Sequence, residues 1–172
     1  MSDPAGDPYV VTVLLDAASQ ERFEALRREH FPPGRNVVPA HVSVFHHLPP
    51  GDETPDAVRE VLDALAPHPS VMSVTGVRSL GRGVAYTLEA PGVAPVRAAL
   101  VQHFEGDLTP QDRQPWRPHV TVQNKVTPEA ARALLARLGA GFTPFEVVAE
   151  GLLLWRYRGG PWELERSLPF DG

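Results

Sequence analysis

The chain has 172 residues, is 42% hydrophobic and carries a formal net charge of −5 at pH 7 with its histidines neutral. No apolar run approaches 18 residues, so no membrane-spanning helix is predicted, and the acidic balance argues against a long nucleic-acid duplex as partner. Because cysteine is absent, the sequence excludes disulfides, a thiolate nucleophile and cysteine-ligated zinc. We therefore expect a single domain, with the cytoplasm as its location.

The predicted elements follow one order twice along the chain. Strands are indicated by alternating apolar and polar residues, and helices by apolar residues that recur every three or four positions. The first half has strands at 9–16, 41–47 and 71–80 and helices at 23–31 and 54–65. The second half has strands at 82–90, 119–125 and 145–155 and helices at 96–104 and 127–138. A last strand at 162–170 follows the turn at Gly159-Gly160.

The clearest sign of duplication is a pair of helices with the same plan. "TPDAVREVLDAL" at 54–65 and "TPEAARALLARL" at 127–138 both begin with threonine, proline and an acidic residue. These residues predict Thr54 and Thr127 as N-caps, each followed by proline at the first helical position. The apolar residues then recur at the same offsets and give each helix one apolar stripe.

This repeat predicts an α+β fold of two lobes related by a pseudo-twofold axis. Each lobe is expected to be a β-α-β-α-β unit, from about 8–80 and about 82–158, within a single domain at 1–172. We expect two mainly antiparallel sheets that face each other across a central cleft, with the helices on the outside. The lobe that receives the last strand stays open. Because the duplicated chain already contains two related halves, we expect a monomer.

The third predicted element of each half carries a polar face, and we call these two segments the motif strands. They read "HVSVFHH" at 41–47 and "HVTVQNK" at 119–125. Strict alternation places His41, Ser43, Phe45 and His47 on one face of the first, and His119, Thr121, Gln123 and Lys125 on the equivalent face of the second. We expect both faces to line the cleft. Alternation directs His46 to the opposite side, and since no carboxylate stands at ligand spacing we expect no metal site.

Two histidines across a cleft can divide acid and base catalysis between them. Histidine ionises near neutral pH, so a neutral imidazole can accept a proton while an imidazolium donates one. The hydroxyl groups of Ser43 and Thr121 can donate hydrogen bonds to a group that is held between the histidines. Such donors suit transfer at a phosphate, where negative charge must be stabilised through the transition state, and the scheme needs no metal or other cofactor.

The two motifs, His41-Val42-Ser43-Val44 and His119-Val120-Thr121-Val122, resemble the paired His-x-Ser/Thr-x motifs of the two-histidine phosphoesterase superfamily. The resemblance extends over the duplicated halves and is nearest to the branch of 2′-5′ RNA ligases and RNA 2′,3′-cyclic phosphodiesterases. It implies hydrolysis of a ribose 2′,3′-cyclic phosphate to a 2′-phosphate and, in some members, reversible formation of 2′-5′ linkages. By this resemblance His41 and His119 are the catalytic pair, while Ser43 and Thr121 bind the nonbridging phosphate oxygens. Which histidine is the acid stays open.

Further substrate contacts are expected where the two halves differ and in the adjoining loops. Phe45 would contact a sugar or base, and Gln123 and Lys125 would contact polar atoms. In the loop at 106–119, arginines could pair with phosphates and a tryptophan could stack on a base, or the loop could be solvated with its tryptophan packed on the core. These loop residues are Arg113, Trp116 and Arg117.

The segment "WRYRGG" at 155–160 presents aromatic residues on one face and arginines on the other. Either face could reach the cleft, and Tyr157 is included among the candidate substrate contacts.

Three functions fit these residues. The first is an enzyme that acts on cyclic or 2′-5′ phosphodiesters, with RNA ends or small cyclic nucleotides as partners. The second is a module that binds nucleotides or RNA ends in the same groove without turnover. The third is a histidine-based metallohydrolase, whose activity would be abolished by EDTA.

Overall fold

The computed structural model describes residues 6–171 of the chain and confirms the duplicated order of elements. The strands are β1 (Tyr9–Leu15), β2 (Ser43–Leu48), β3 (Ser70–Ser79), β4 (Val84–Glu89), β5 (His119–Gln123), β6 (Phe145–Arg156) and β7 (Glu163–Pro169). The helices are α1 (Ala17–His30), α2 (Thr54–Leu65), α3 (Ala94–His103) and α4 (Pro128–Ala140). Within residues 6–171, no helix combines the length and apolar character that crossing a membrane requires.

All strand pairs are antiparallel, which confirms the predicted α+β class. The strands run in the order β2-β1-β6-β3-β4-β5, and β7 pairs with β6. The third strand of each half therefore joins the first strand of the other half, because β6 pairs with β1 and β3 pairs with β4. Pairing of β3 with β6 joins the two predicted sheets into one curled sheet. The motif strands lie at its two ends as β2 and β5; β2 begins only at Ser43, so His41 comes just before it, whereas β5 begins at His119.

The pseudo-twofold relation is visible in the strand register. The first halves of β3 and β6 pair from Ser70 opposite Ala149 to Val74 opposite Phe145. Each strand then shows a register shift against its next partner and continues from a glycine, Gly76 in β3 and Gly151 in β6. The two halves thus share even their irregular backbone features.

The two matched helices begin differently. Thr127 is the N-cap of α4, as predicted, and its side chain accepts a hydrogen bond from Ala130 N at 3.1 Å. The prediction for Thr54 is wrong, because α2 begins at Thr54 itself and Glu53 is the N-cap. The Thr54 hydroxyl donates to the carbonyl of Pro49 at 2.8 Å instead. The Thr54 hydroxyl therefore acts as a donor to a nearby carbonyl, whereas an N-cap hydroxyl accepts a hydrogen bond from a backbone N–H of the helix.

The motif strands are edge strands, yet their outer backbone groups are paired by side chains from the opposite half. Arg27 of α1 donates to Thr121 O in β5 at 2.9 Å, and Arg97 of α3 donates to Val44 O in β2 at 3.1 Å. We call these two contacts the cross-braces. Because an unpaired buried carbonyl is costly, the cross-braces tie each motif strand to a helix of the other half.

Replacing Arg27 by alanine is expected to lower the free energy of unfolding by about 2–4 kcal/mol, because it leaves Thr121 O unpaired and opens a cavity. Arg27 is only 2% exposed and also donates to Asn36 Oδ1 at 2.9 Å. Urea denaturation followed by circular dichroism measures the change. The matched control is Arg28→Ala, which removes an exposed pair with Glu21 and should change stability by less than about 0.5 kcal/mol. Equal effects of the two substitutions would contradict a bracing role.

Candidate active site

Both motif histidines are held in the same way by a carbonyl two residues before them. His41 Nδ1 lies 2.8 Å from Pro39 O, and His119 Nδ1 lies 2.9 Å from Arg117 O. Since a carbonyl can only accept, each neutral imidazole carries its proton on Nδ1. Nε2 of each ring is then left with a free lone pair for proton transfer.

The motif hydroxyls and His119 belong to one face of the curled sheet. Ser43 pairs with Thr12 of β1, while Thr121 and His119 pair with Ala85 and Thr87 of β4. A cavity of about 350 Å³ is lined by residues of both ends of the sheet, among them Ser43 and His119. The charge of a protonated His119 lowers the pKa of His41. The tertiary fold thus brings the two motifs together as the repeat predicts.

The His41 ring is strongly desolvated. Burial is the main cause that lowers its pKa from 6.5 to about 4, with smaller contributions from the charges of Arg27, His119 and His46. The hydrogen bond to Pro39 O opposes this shift. Trp162 contributes to the burial, since its ring packs edge-on with its centroid 4.6 Å from that of His41. His41 is therefore neutral at neutral pH in the free protein.

His119 is shifted in the same direction. Burial again lowers its pKa most, the hydrogen bond to Arg117 O opposes the shift, and the charge of Arg78 lowers the pKa further. An anion bound between the rings would favour the protonated form of both and reverse these shifts. The site is therefore arranged to take up a proton together with a negatively charged ligand.

A register shift interrupts both motif strands at the same point. In β2, Ser43 pairs with Thr12 and Phe45 pairs with Val11. An advance of two residues along β2 therefore corresponds to an advance of one residue along β1. In β5, Thr121 pairs with Ala85 and Gln123 with Val84, so the same mismatch recurs against β4. Because paired residues share a face and successive residues alternate, the side chain after each shift turns to the opposite face.

These shifts overturn two predicted substrate contacts. Phe45 is 0% exposed and belongs to the hydrophobic core, so the prediction that it contacts a sugar or base is wrong. Gln123 is 7% exposed and lies on the face opposite Thr121, so its predicted place in the cleft is wrong as well. Lys125 follows the end of β5 with a φ of 62° and is exposed, and its contact with substrate stays a prediction.

The register shift also moves His46, which strict alternation had placed away from the cleft. That prediction is wrong, because His46 lines the same cavity as Ser43 and His119. Its Nδ1 lies 3.2 Å from a carboxylate oxygen of Asp112, which is 1% exposed. Burial alone would raise the pKa of Asp112, but hydrogen bonds from the His46 ring and from the backbone of His46 and His47 outweigh it and lower the pKa. In the part of the chain that the structure describes, no three His, Asp or Glu side chains form a group able to hold a metal ion.

The loop before β5 divides between packing and the cavity. Trp116 donates from Nε1 to Ser43 O at 2.8 Å and packs against the core, while its ring also lines the cavity. Arg117 is exposed and lines the cavity too. Arg113 is exposed and donates to Glu105 O at 3.4 Å, outside the cavity lining. Trp116 therefore packs on the core, as one interpretation has it, and also lines the cavity, as the other requires. Of the two loop arginines, only Arg117 lines the cavity.

The last strand of the second half contributes aromatic surface. Trp155 donates from Nε1 to Thr12 Oγ1 at 2.9 Å, and Thr12 in turn pairs with Ser43, so Trp155 is on the cleft side. Tyr157 lies beyond the end of β6 and is 42% exposed, and its contact with substrate stays a prediction.

Sequence reasoning missed two residues beside the histidines. Arg78 on β3 stands next to Ala85, whose other neighbour is Thr121. Its signal was a lone arginine near the end of an otherwise apolar and hydroxyl-bearing strand. Trp162, beside His41, left no local signal because it comes from the turn before β7, far away in sequence.

Comparisons with known proteins agree on one family and one fold. The family model of the 2′-5′ RNA ligase superfamily matches residues 15–161. TT0787 of Thermus thermophilus superposes with a TM-score of 0.64 at 18% identity, covering 96% of this chain and 98% of its own. E. coli LigT complexed with 3′-AMP gives a TM-score of 0.64 at 14% identity, with 96% and 99% covered. The same protein complexed with phosphate gives 0.60 at 13% identity, with 96% and 98% covered. The sequence matches none of the curated proteins with which it was compared.

Replacing Trp162 by alanine should raise the pKa of His41 from about 4 towards 6.5, because it admits water to the ring. NMR titration of the His41 ring resonances measures this, with Tyr157→Ala as the exposed aromatic control. The same shift links stability to pH, because His41 binds its second ring proton more tightly in the unfolded chain than in the folded wild type. The wild type should therefore lose stability as the pH falls from 6.5 towards 4. A wild-type midpoint near 6.5, or an unchanged midpoint in Trp162→Ala, would contradict desolvation as the cause.

Proposed function

This chain belongs to the 2′-5′ RNA ligase superfamily, and from that premise we propose that it hydrolyses 2′,3′-cyclic phosphate ends of RNA or nucleotides to 2′-phosphates without a metal ion. The superfamily consists of phosphoesterases and ligases, so the coarser activity follows from membership. The observation that carries the finer proposal is the matched setting of His41 and His119. Each ring is held through Nδ1 and leaves Nε2 free.

In the proposed step, one neutral imidazole takes a proton from water as the water oxygen attacks phosphorus. The P–O3′ bond breaks, and O3′ receives a proton from the other, protonated imidazole. Ser43 and Thr121 donate hydrogen bonds to the nonbridging oxygens as charge develops there. Each acid or base contribution is worth about 10²–10⁴ in rate.

The same arrangement supports ligation. When the 5′-hydroxyl of a second RNA replaces water, attack on phosphorus and departure of O3′ leave a 2′-5′ linkage. Reversal of that step exchanges the acid and base roles of the histidines. The balance between hydrolysis and ligation then depends on which nucleophile fills the cleft.

The proposed ligands are small or terminal, namely RNA ends and cyclic nucleotides. E. coli LigT has been crystallised with 3′-AMP and with phosphate, which supports a small, phosphate-bearing ligand. The net charge of −5 is consistent with local recognition of an end by a few cationic side chains. Contacts from Trp116, Arg117, Lys125 and Tyr157 belong to this proposal, as does action by a monomer in the cytoplasm.

Alanine at either His41 or His119 should lower kcat for a 2′,3′-cyclic nucleotide by at least about 10²-fold, because each variant lacks one proton-transfer group. The assay is run with EDTA present and follows formation of the nucleoside 2′-phosphate. His103→Ala, at the exposed end of α3, is the histidine control and should keep full activity. Full activity in either motif variant would exclude the paired scheme. Tight binding by the wild type without turnover would favour the binding module, and EDTA-sensitive turnover would favour the metallohydrolase.

The pH profile of kcat/KM should be bell-shaped with its maximum below pH 6.5. This quantity reports the free enzyme, in which the pKa of His41 is about 4 and that of His119 is also lowered. Below the bell both rings are protonated and no base remains, and above it both are neutral and no acid remains. Initial rates across about pH 3–9 measure the profile, with circular dichroism checking that the protein stays folded. A maximum at or above neutral pH would contradict it.

A further inference from the structure

Arg78 stands on the cleft face of β3, in line with a motif hydroxyl. Thr121, Ala85 and Arg78 are paired neighbours across β5, β4 and β3, so they share one face. Two interstrand spacings put the Arg78 backbone about 10 Å from that of Thr121, a gap that an extended arginine side chain largely spans. Because Ala85 has only a methyl group, nothing longer stands between them.

The half-buried guanidinium of Arg78 is incompletely paired within residues 6–171. Its Nε is buried and has no hydrogen-bond partner among residues 6–171. The ion pairs formed within that range do not include Arg78. A buried donor without a partner is costly, which favours the arrival of an anionic ligand.

The fold itself does not require an arginine at this position. The matching row at the other end of the sheet is Ser43, Thr12 and Leu153, so Leu153 is the pseudo-twofold counterpart of Arg78. The same backbone site therefore accepts an apolar side chain. The charge of Arg78 is a property of the cleft that distinguishes one lobe from the other.

A second cavity, also of about 350 Å³, is lined by Arg78 and His119. Arg117 and the hydroxyl-bearing Thr75 and Thr87 also line it. The two hydroxyl oxygens lie 3.3 Å apart, so both can turn towards one ligand. Glu89 lines the cavity as well and opposes the two guanidinium groups in part. We call Thr75, Arg78, Thr87 and Arg117 the second-phosphate site.

We propose that the second-phosphate site binds a further phosphate of the substrate, the one attached to the 5′ oxygen of the nucleoside that bears the 2′,3′-cyclic phosphate. This inference rests on the proposed function, and it states which cyclic phosphates are preferred. Arginine forms charge-assisted hydrogen bonds to phosphate, each worth roughly 10–100-fold in affinity. The enzyme thereby favours an RNA end, or a 5′-phosphorylated nucleotide, over a cyclic nucleotide with a single phosphate.

The test compares three substrates. They are a 2′,3′-cyclic mononucleotide, the same compound with a 5′-phosphate, and a dinucleotide with a terminal 2′,3′-cyclic phosphate. The wild type should show higher kcat/KM for the two longer compounds, and Arg78→Gln should reduce that preference by about tenfold or more. Because the charge of Arg78 also lowers the pKa of His119, the variant's kcat/KM for the single-phosphate substrate is the reference for its own preference. Arg78→Lys keeps the charge and should retain part of the preference. The two longer compounds distinguish a free 5′-phosphate from a phosphodiester.

Arg82→Gln is the matched control, since Arg82 is exposed in the turn after β3 and donates to Val126 O at 3.0 Å. It should leave the preference unchanged. An equal loss on all three substrates in Arg78→Gln would indicate a merely structural role and overturn the second-phosphate site, as would an unchanged preference.

A binding measurement separates failure of this inference from failure of the proposed function. Calorimetric affinities for a nucleoside 2′-phosphate and for its 5′-phosphorylated form are compared in the wild type and Arg78→Gln. Suppose that the wild type hydrolyses no cyclic phosphate but binds the 5′-phosphorylated compound more tightly, and that Arg78→Gln does not. The second-phosphate site then stands and the proposed reaction is wrong. Suppose instead that the wild type turns over cyclic phosphates, and that the ratio of its affinities for the two compounds is the same as in Arg78→Gln. The proposed reaction then stands and the second-phosphate site is wrong.

Discussion

The pairing of two sheet edges by side chains from opposite halves is the interaction on which the rest of this protein depends. Motif strands at the ends of a sheet expose backbone groups that must be paired. Arg27 and Arg97 supply those partners across the molecule, and Trp116 and Asp112 add to the pairing of β2. Each motif strand is therefore held between the first strand of its own half and a helix of the other half. Active-site geometry and global stability share the same contacts.

The second constraint is the register shift that follows each motif hydroxyl. It returns the next alternate side chain, Phe45 or Gln123, to the buried side, and in β2 it brings His46 to the cavity instead. The two motif hydroxyls thus have packed core directly behind them. Burial lowers the pKa of both motif histidines, and Trp162 adds to the burial of His41.

A duplicated frame becomes directional where the halves differ. The counterpart of Arg78 is Leu153, and Trp155 and Trp162 lie on the side of His41. One side of the cleft therefore carries an arginine where the other carries a leucine, and two tryptophans lie on that other side. This difference would favour one direction of binding for a ligand with a charged end and an apolar end. In the proposed reaction, the symmetric frame supplies the acid and base pair, and the differences between the halves orient the ligand.

Much of this protein was determined by local sequence. The helical stripes, the repeated strand–helix order and the paired motifs are short-range patterns, and they sufficed to predict the α+β class, the duplication and the meeting of the two histidine motifs. Phe45, Gln123 and His46 were placed wrongly because alternation holds only while the register is unbroken, and register is set by partner strands far away in the chain. The exchange of β3 and β6 between halves, and the arrival of Trp162 and Arg78 beside the histidines, were likewise decided by tertiary structure. No local pattern encodes them, because each depends on which distant strand supplies the next row of hydrogen bonds.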